Sequence, residues 1–331
     1  MKIFCSLFRC IFLLSFLIFG SSISRSTYDW PIHDPFTIVD TISTLQFYGP
    51  KPGFHHGIDM HAPAGTPVYA PVSGVVGMGY YYPPAQTPYT YEITIDGDDG
   101  YHWEFHHIDQ DSIPKEIADL ANRHGRVSAG TLLAKIYDAT LFDPRLIPHL
   151  HMDLIAPDGV YQNSAKLFPK ILDHSKPAVR GVYLVDSNNR VVSKERSTGE
   201  QVRPFPIGKY ELVLDIIDII DGAPMGDSLQ GLTVFVNREK IGSFDFSARL
   251  PKKNYLEGVR DIFKIEPITL INNQTLTHQV DLSAPRKFLY RFDVEISKIE
   301  PGASGELVIE ILAEDFSGNQ TRKTETLVQF Y

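Results

Sequence analysis

Apolar residues in this chain come in strand-length runs punctuated by glycine, proline and asparagine, a rhythm that confines most of it to β-structure. In the first half the runs are Val68–Tyr69, Gly74–Gly77, Tyr91–Ile95, Tyr101–His107, Thr131–Ile136 and His149–Ile155. Asp96-Gly97-Asp98-Asp99-Gly100 reads as the turn between two of them. One helix is expected near Pro114 to His124, stopped by Gly125. The second half repeats the pattern at Gly181–Val185, Tyr210–Ile216, Leu232–Val236, Ile241–Phe246, Phe288–Ile296, Glu306–Ala313 and Thr324–Phe330. Hairpin turns are expected at Asn188-Asn189 and Asn237-Arg238-Glu239-Lys240. The fold class that follows is mainly β: a linker over 26–50, a compact antiparallel β-sheet domain over 51–174, and an immunoglobulin-like β-sandwich over 175–331.

The first residues have the form of a secretory signal over 1–25: Lys2 and Arg9, an apolar run from Ile11 to Phe19, then small residues from Gly20 to Ser24. That run is too short to favour a spanning helix, so the expected location is periplasmic or secreted, with no transmembrane anchor after cleavage. Both cysteines, Cys5 and Cys10, fall in this segment, which leaves the mature fold without a disulfide or a thiolate. Residues 26–174 carry 8 Lys+Arg against 18 Asp+Glu, net −10, and residues 175–331 carry 20 against 22, net −2. An acidic first half without a basic cluster is the wrong electrostatic footprint for nucleic acid.

Nine of the twelve histidines lie between His55 and His151. Three segments concentrate the chemistry: His55-His56-Gly57-Ile58-Asp59, Phe105-His106-His107-Ile108 and His149-Leu150-His151. Alternate residues of a strand share a face, so His149 and His151 can enter one site, one binding a metal while the other stays free. Gly57 allows a bend that brings His55 and Asp59 to a common point. Imidazole nitrogen with carboxylate oxygen is a zinc donor set, and a catalytic zinc keeps three protein ligands and one open position.

The stretch from His55 to Ala70, with Gly74-Val75-Val76, resembles the first motif of the LytM/lysostaphin-type zinc endopeptidases. Pro148-His149-Leu150-His151 resembles their closing motif, and Ser128-Ala129-Gly130-Thr131-Leu132-Leu133 is similar to one of their strands. The resemblance covers about residues 50 to 165. It implies a compact antiparallel sheet with a groove, the duplicated hybrid motif fold, one Zn2+, and hydrolysis of peptide bonds in peptidoglycan. Carried over by position, His55, Asp59 and His151 would be the metal ligands, and His107 and His149 the catalytic histidines. His107 is preferred to His106 because aromatic-x-His places Phe105 and His107 on one strand face. On this reading His149 takes a proton from the water and returns it to the leaving amine, while His107 stabilises the oxyanion; the two roles are exchangeable.

Two segments depart from the family pattern: Tyr137 to Ile147, and the tyrosine-rich Tyr80-Tyr81-Tyr82-Pro83-Pro84 with Tyr89 and Tyr91 beyond it. Tyrosines there could stack on sugars or line a peptide groove, or could pack as an ordinary loop. Asp96, Asp98 and Asp99 lack calcium-loop spacing and read as a solvated turn. Asp315-Phe316-Ser317-Gly318-Asn319 reads as a structural turn, His56 and His61 as neighbours of the motif, and His174 and His278 as residues without a role. The expected partners are peptidoglycan peptides, with a protein partner possible through the β-sandwich. The alternatives to an endopeptidase are a catalytically silent wall-binding or amidase-activating relative, and a zinc protease of extracellular proteins.

Overall fold

The computed structural model describes residues 28–48, 50–81, 87–195, 205–223, 225–250, 253–280, 286–296 and 305–329. Residues 1–27, which hold both cysteines, and Tyr82-Pro83-Pro84 lie outside the described residues. The chain is mainly β and antiparallel, as its apolar rhythm requires. Among the described residues no helix is long and apolar enough to cross a membrane.

The first half supplies β1 (Thr37–Asp40), β2 (Leu45–Tyr48), β3 (Lys51–Phe54), β4 (Ile58–His61), β5 (Pro67–Tyr69), β6 (Gly74–Tyr80), β7 (Tyr91–Gly97) and β8 (His102–His106). They are followed by β9 (Ile108–Asp109), α1 (Lys115–Asn122), β10 (Arg126–Val127), β11 (Leu132–Ile136) and β12 (His149–Ile155). Seven of these strands form one sheet in the order β1-β4-β12-β8-β7-β6-β10, and β5-β11-β9 form a second. Side-chain alternation splits the central strands cleanly. Ile58 and Met60 of β4, Trp103 and Phe105 of β8, and Leu150, Met152 and Leu154 of β12 enter one buried cluster. Asp59, His61, His102, Glu104, His106, His149, His151 and Asp153 alternate with them and so occupy the other face. The helix ends where Gly125 was expected to stop it, by a different device: His124 takes the left-handed conformation (φ 52°) and the Gly125 amide donates to the Leu120 carbonyl at 2.7 Å.

The second half contains β13 (Ala178–Val185), β14 (Ser193–Glu195), β15 (Lys209–Ile217), β16 (Gly231–Val236), β17 (Glu239–Asp245), α2 (Val259–Ile262), β18 (Ile268–Thr269) and β19 (Thr275–Leu276). The last strands are β20 (Leu289–Glu295), β21 (Leu307–Glu314) and β22 (Gln320–Gln329). Sheets β13-β15-β20 and β14-β22-β21-β16-β17 contribute to one apolar core. Asn237 and Arg238, both at positive φ (48° and 71°), make the expected hairpin turn between β16 and β17.

The segment 26–50 is more than the linker its prolines suggested. Its β1 borders β4 in the large sheet, with Asp40 opposite Asp59. Further on, Ile42, Leu45 and Phe54 are buried in the core of the second half. Strands of only four residues, spaced by Pro and Gly, carry too little periodicity to be read in isolation. The exchange runs both ways, since Ile220 belongs to the first core and Phe316 packs against it.

Polar contacts secure this seam. Arg286 forms a two-pronged ion pair with Asp40, its Nη2 donating to Oδ2 at 3.0 Å, and both side chains are buried. Thr41 donates through its hydroxyl to Asp227 Oδ2 at 2.7 Å, and Thr44 donates to the other oxygen of the same carboxylate. Removing one member of a buried ion pair strands the other charge. Arg286→Met is therefore expected to lower the unfolding free energy by about 3–5 kcal/mol in denaturant titrations; a variant as stable as the parent would show that the pair does not hold the seam.

Candidate metal centre

Antiparallel register lines up a row of titratable groups across five strands of the large sheet. Asp40 faces Asp59, Asp59 faces His151, His151 faces His106, and His106 faces Glu92. Directly opposed residues share a face of the sheet, so the row is a consequence of pairing alone. His55, just before β4, completes it.

Three donor atoms meet in this row. His55 Nε2 lies 2.8 Å from His151 Nδ1, Asp59 Oδ1 lies 2.7 Å from His151 Nδ1, and the same oxygen lies 3.2 Å from His55 Nε2. The far nitrogen of each ring determines what the near one offers. His55 Nδ1 donates to the Thr41 carbonyl at 2.9 Å, and His151 Nε2 donates to Asp153 Oδ1 at 3.1 Å. In the neutral rings the two nitrogens that face each other therefore both present lone pairs. Lone pairs and a carboxylate oxygen in such contact require a positive charge among them. A proton supplies it in the metal-free protein: burial disfavours a charged His55, yet the adjacent Asp59 and the nearby Asp40 hold its pKa at about 9. A divalent cation supplies it better, and two nitrogens with one oxygen suit zinc. Burial alone would raise the pKa of Asp59, but His55, His149 and His151 hold it well below the usual carboxylate range.

Two further imidazoles stand beside the donors. His149 Nδ1 donates to the Ile147 carbonyl at 2.8 Å, leaving Nε2 free 3.8 Å from Asp59 Oδ2. His107 Nδ1 donates to the Tyr89 carbonyl at 2.8 Å, and its ring meets that of His149 edge-on at 4.7 Å between centroids. Burial, then the neighbouring His149 and His151, push His107 well below the ordinary histidine pKa.

His107 reaches the site by a route that strand alternation does not describe. Phe105 points into the core, and His106, directly opposite His151, occupies the polar face. At His107 the backbone turns left-handed (φ 60°) as the chain leaves the large sheet for β9 in the small one. A non-glycine residue in that region is costly and needs surrounding support. Here Tyr89 stacks on the ring at 4.0 Å, and Phe142 stacks on Tyr89 at 4.9 Å.

Asp153 is the residue that motif reasoning passed over. It is fully buried and accepts from His56 Nδ1 at 2.8 Å, His106 Nε2 at 3.1 Å and His151 Nε2 at 3.1 Å. Burial opposes its ionisation, and His151, His56 and His106 overcome that, holding the carboxyl well below its ordinary pKa. The clue was present in His149-x-His151-x-Asp153, three alternate positions of one strand. Gly57 matters here through proximity rather than bending: a Cβ at that position would come within 2.3 Å of Asp153 Oδ1 and 2.5 Å of the Met152 carbonyl. His106 is held well above the ordinary histidine pKa, because Asp153, Glu104 and Glu92 outweigh its burial.

The site opens into a cavity of about 480 Å³ lined by Tyr48, Tyr81, Tyr89, Leu146, Ile147 and, from the second half, Met225. Tyr81 and Tyr89 thus line it, whereas Tyr80 and Tyr91 pack edge-on against each other. Other residues singled out in the sequence have bonded roles elsewhere. His61 donates to the Pro148 carbonyl at 2.7 Å, Asp99 accepts from Tyr28 and Trp103, Asp98 pairs with Arg126, and His174 bonds Asp221 on the surface. Buried His278 accepts from the Leu289 amide.

Residues 53–164 match the model of Peptidase family M23. No curated protein matches this chain. Among solved structures, a putative peptidase M23 from Pseudomonas aeruginosa is 24% identical with a TM-score of 0.26, over 44% of this chain and 49% of that one, so the chain spans about half its length. The catalytic domain of the antimicrobial peptidase lysostaphin from Staphylococcus simulans is 18% identical with a TM-score of 0.30, over 39% of this chain and 89% of that one. A zinc containing peptidase from Vibrio cholerae is 22% identical with a TM-score of 0.27, over 39% and 36%.

Asp153→Asn keeps the shape of the carboxylate and withdraws the charge that orients three imidazoles. Zinc affinity measured against a chromophoric chelator is expected to fall about 10–100-fold with the fold retained by circular dichroism; an unchanged affinity would remove Asp153 from the site.

Proposed function

We propose that this chain, whose residues 53–164 match the model of Peptidase family M23, is a zinc-dependent endopeptidase acting outside the cytoplasm on the peptides of peptidoglycan. The observation that carries the zinc reading is the convergence of His55, Asp59 and His151 on one point, with their outer nitrogens already committed to Thr41 and Asp153. Two unligated imidazoles beside that point favour a working enzyme over a silent wall-binding relative. The sequence motifs supply the substrate class, and the aromatic cavity walls suit an extended peptide with its attached sugars.

In the chemistry that follows, His55, Asp59 and His151 hold the ion. When bound, zinc polarises the scissile carbonyl and lowers the pKa of a water toward about 7. Proton traffic falls to the chain's own histidines, because no glutamate accompanies the motif. His149, its tautomer set by the Ile147 carbonyl, presents a bare Nε2 to the cavity and accepts the proton of the attacking water. The carboxylate of Asp59 stabilises the imidazolium so formed. The same proton then goes to the leaving amine. His107 also presents Nε2 as an acceptor, and in its neutral form it orients the water by accepting a hydrogen bond. It becomes a donor to the oxyanion only after gaining a proton, which its buried setting resists. Both rings present the same tautomer, and the lowered pKa of buried His107 supports His149 as the proton carrier and His107 as the orienting residue.

Purified protein incubated with defined peptidoglycan should release new amines, and mass spectrometry of the fragments should name the bond. His149→Ala and His107→Ala are each expected to reduce turnover by at least about 100-fold while keeping one zinc per chain. Asp59→Ala should lose both zinc and activity. A His149→Ala variant that lost its metal would reassign that residue as a ligand. Zinc-loaded protein that bound peptidoglycan without cleaving it would favour the silent reading, and cleavage of proteins alone would redirect the substrate assignment.

A further inference from the structure

A second cluster of buried oxygen donors lies at the seam between the two halves, apart from the histidine site. Asp173 comes from the connection ahead of β13, Asp218 from the loop after β15, and Asp315 from the turn between β21 and β22. Their exposures are 6%, 1% and 0%, and one carboxylate oxygen from each lies within 4.8 Å of the others. Among the described residues no Lys, Arg or His forms an ion pair with any of the three. Some of their oxygens have hydrogen-bond donors: Asp173 Oδ1 accepts from the Ser175 and Asp221 amides at 3.2 and 3.0 Å, and Asp315 Oδ1 accepts from the Asn319 amide at 2.8 Å. The remaining pattern is unusual for a protein interior. Asp218 Oδ1 and Asp315 Oδ2 are buried without any partner, and so is the hydroxyl of Ser317, two residues further along the same turn. A buried, unpaired and ionised carboxylate is strongly disfavoured, so three together from separate segments call for bound protons or a compensating cation; burial, then the neighbouring Asp227, Asp315 and Asp173, push Asp218 up to about 8.

We propose that Asp173, Asp218 and Asp315 bind a calcium ion that ties the connection at Asp173 to the two loops of the second half. All the donors are oxygens, which selects a hard cation over zinc. Three carboxylates withdrawn from solvent suit calcium better than magnesium, which retains several waters. The location gives the ion a structural role. Ile220, two residues beyond Asp218, enters the core of the first half, and Phe316, next to Asp315, packs on it. Asn319 reinforces the same junction by donating to the Asp173 carbonyl at 3.0 Å. Calcium would thus fix the two loops whose side chains plug the first core.

The test uses the full mature chain, freed of divalent ions on a chelating resin and reloaded with zinc. Adding calcium at about 1 mM should raise the melting temperature by about 5 °C or more, and calorimetry should give one calcium per chain. Asp218→Asn and Asp315→Asn, which remove a charge with little change of shape, should each abolish the calcium response. Asp59→Ala should keep it, which separates this site from the histidine centre. The proposal is overturned if wild type binds no calcium and melts unchanged, if the response survives in both carboxamide variants, or if magnesium produces the same shift.

Discussion

Pairing register in the large sheet is the constraint on which the site depends. Each central strand sends every second side chain into the apolar core, and sliding any of them by one residue would drive Leu150, Met152 and Leu154 into the cleft and the histidines into the core. Apolar burial therefore does more than stabilise the sheet. It aligns Asp59, His151 and His106 across three strands, so that the chemical groups are positioned by the packing on the opposite face. The cost of assembling so many buried polar groups is offset by mutual pairing. Asp153 binds three imidazoles, and His55 and Asp59 compensate one another.

What could be read from the sequence was whatever local pattern determines. Strands β11, β12, β15 and β16 follow their apolar runs closely, and α1 lies inside its expected span. His55, Asp59 and His151 come together as the motifs implied. What stayed hidden depends on contacts between distant segments. Asp153 has no motif of its own, since its meaning arises only when His56 and His106 arrive from other segments. His107 joins the cluster through a left-handed corner that no propensity reveals, and not through the alternation along β8 on which the motif reading relied. The segment before His55 looked like a connection because strands of four residues carry little signal, whereas their burial is decided by Asp40 meeting Arg286 and by Leu45 entering a core built mainly from residues 182–327.

The aromatic loops illustrate how departures from a family pattern become features of a particular protein. The tyrosines divide between lining the cavity and packing below it, and Tyr89 does something more specific by stacking on His107 and accepting its Nδ1 proton. The stretch from Tyr137 to Ile147 brings Leu146 and Ile147 to the cavity wall and Phe142 onto the back of Tyr89. Neither substitution is a mere change of rim, because both support catalytic candidates through ring stacking or a backbone carbonyl.

The hairpin formed by β2 and β3 has Leu45 and Phe54 sunk in the far core while the strand ahead of it lines the near sheet. A fragment trimmed to the peptidase motif would thus shed β1, exposing the hydrogen-bonding edge of β4, and would carry Phe54 without its pocket. In this chain the module is therefore not a free cassette, since the strands that complete it on one side are anchored in the core of the other half.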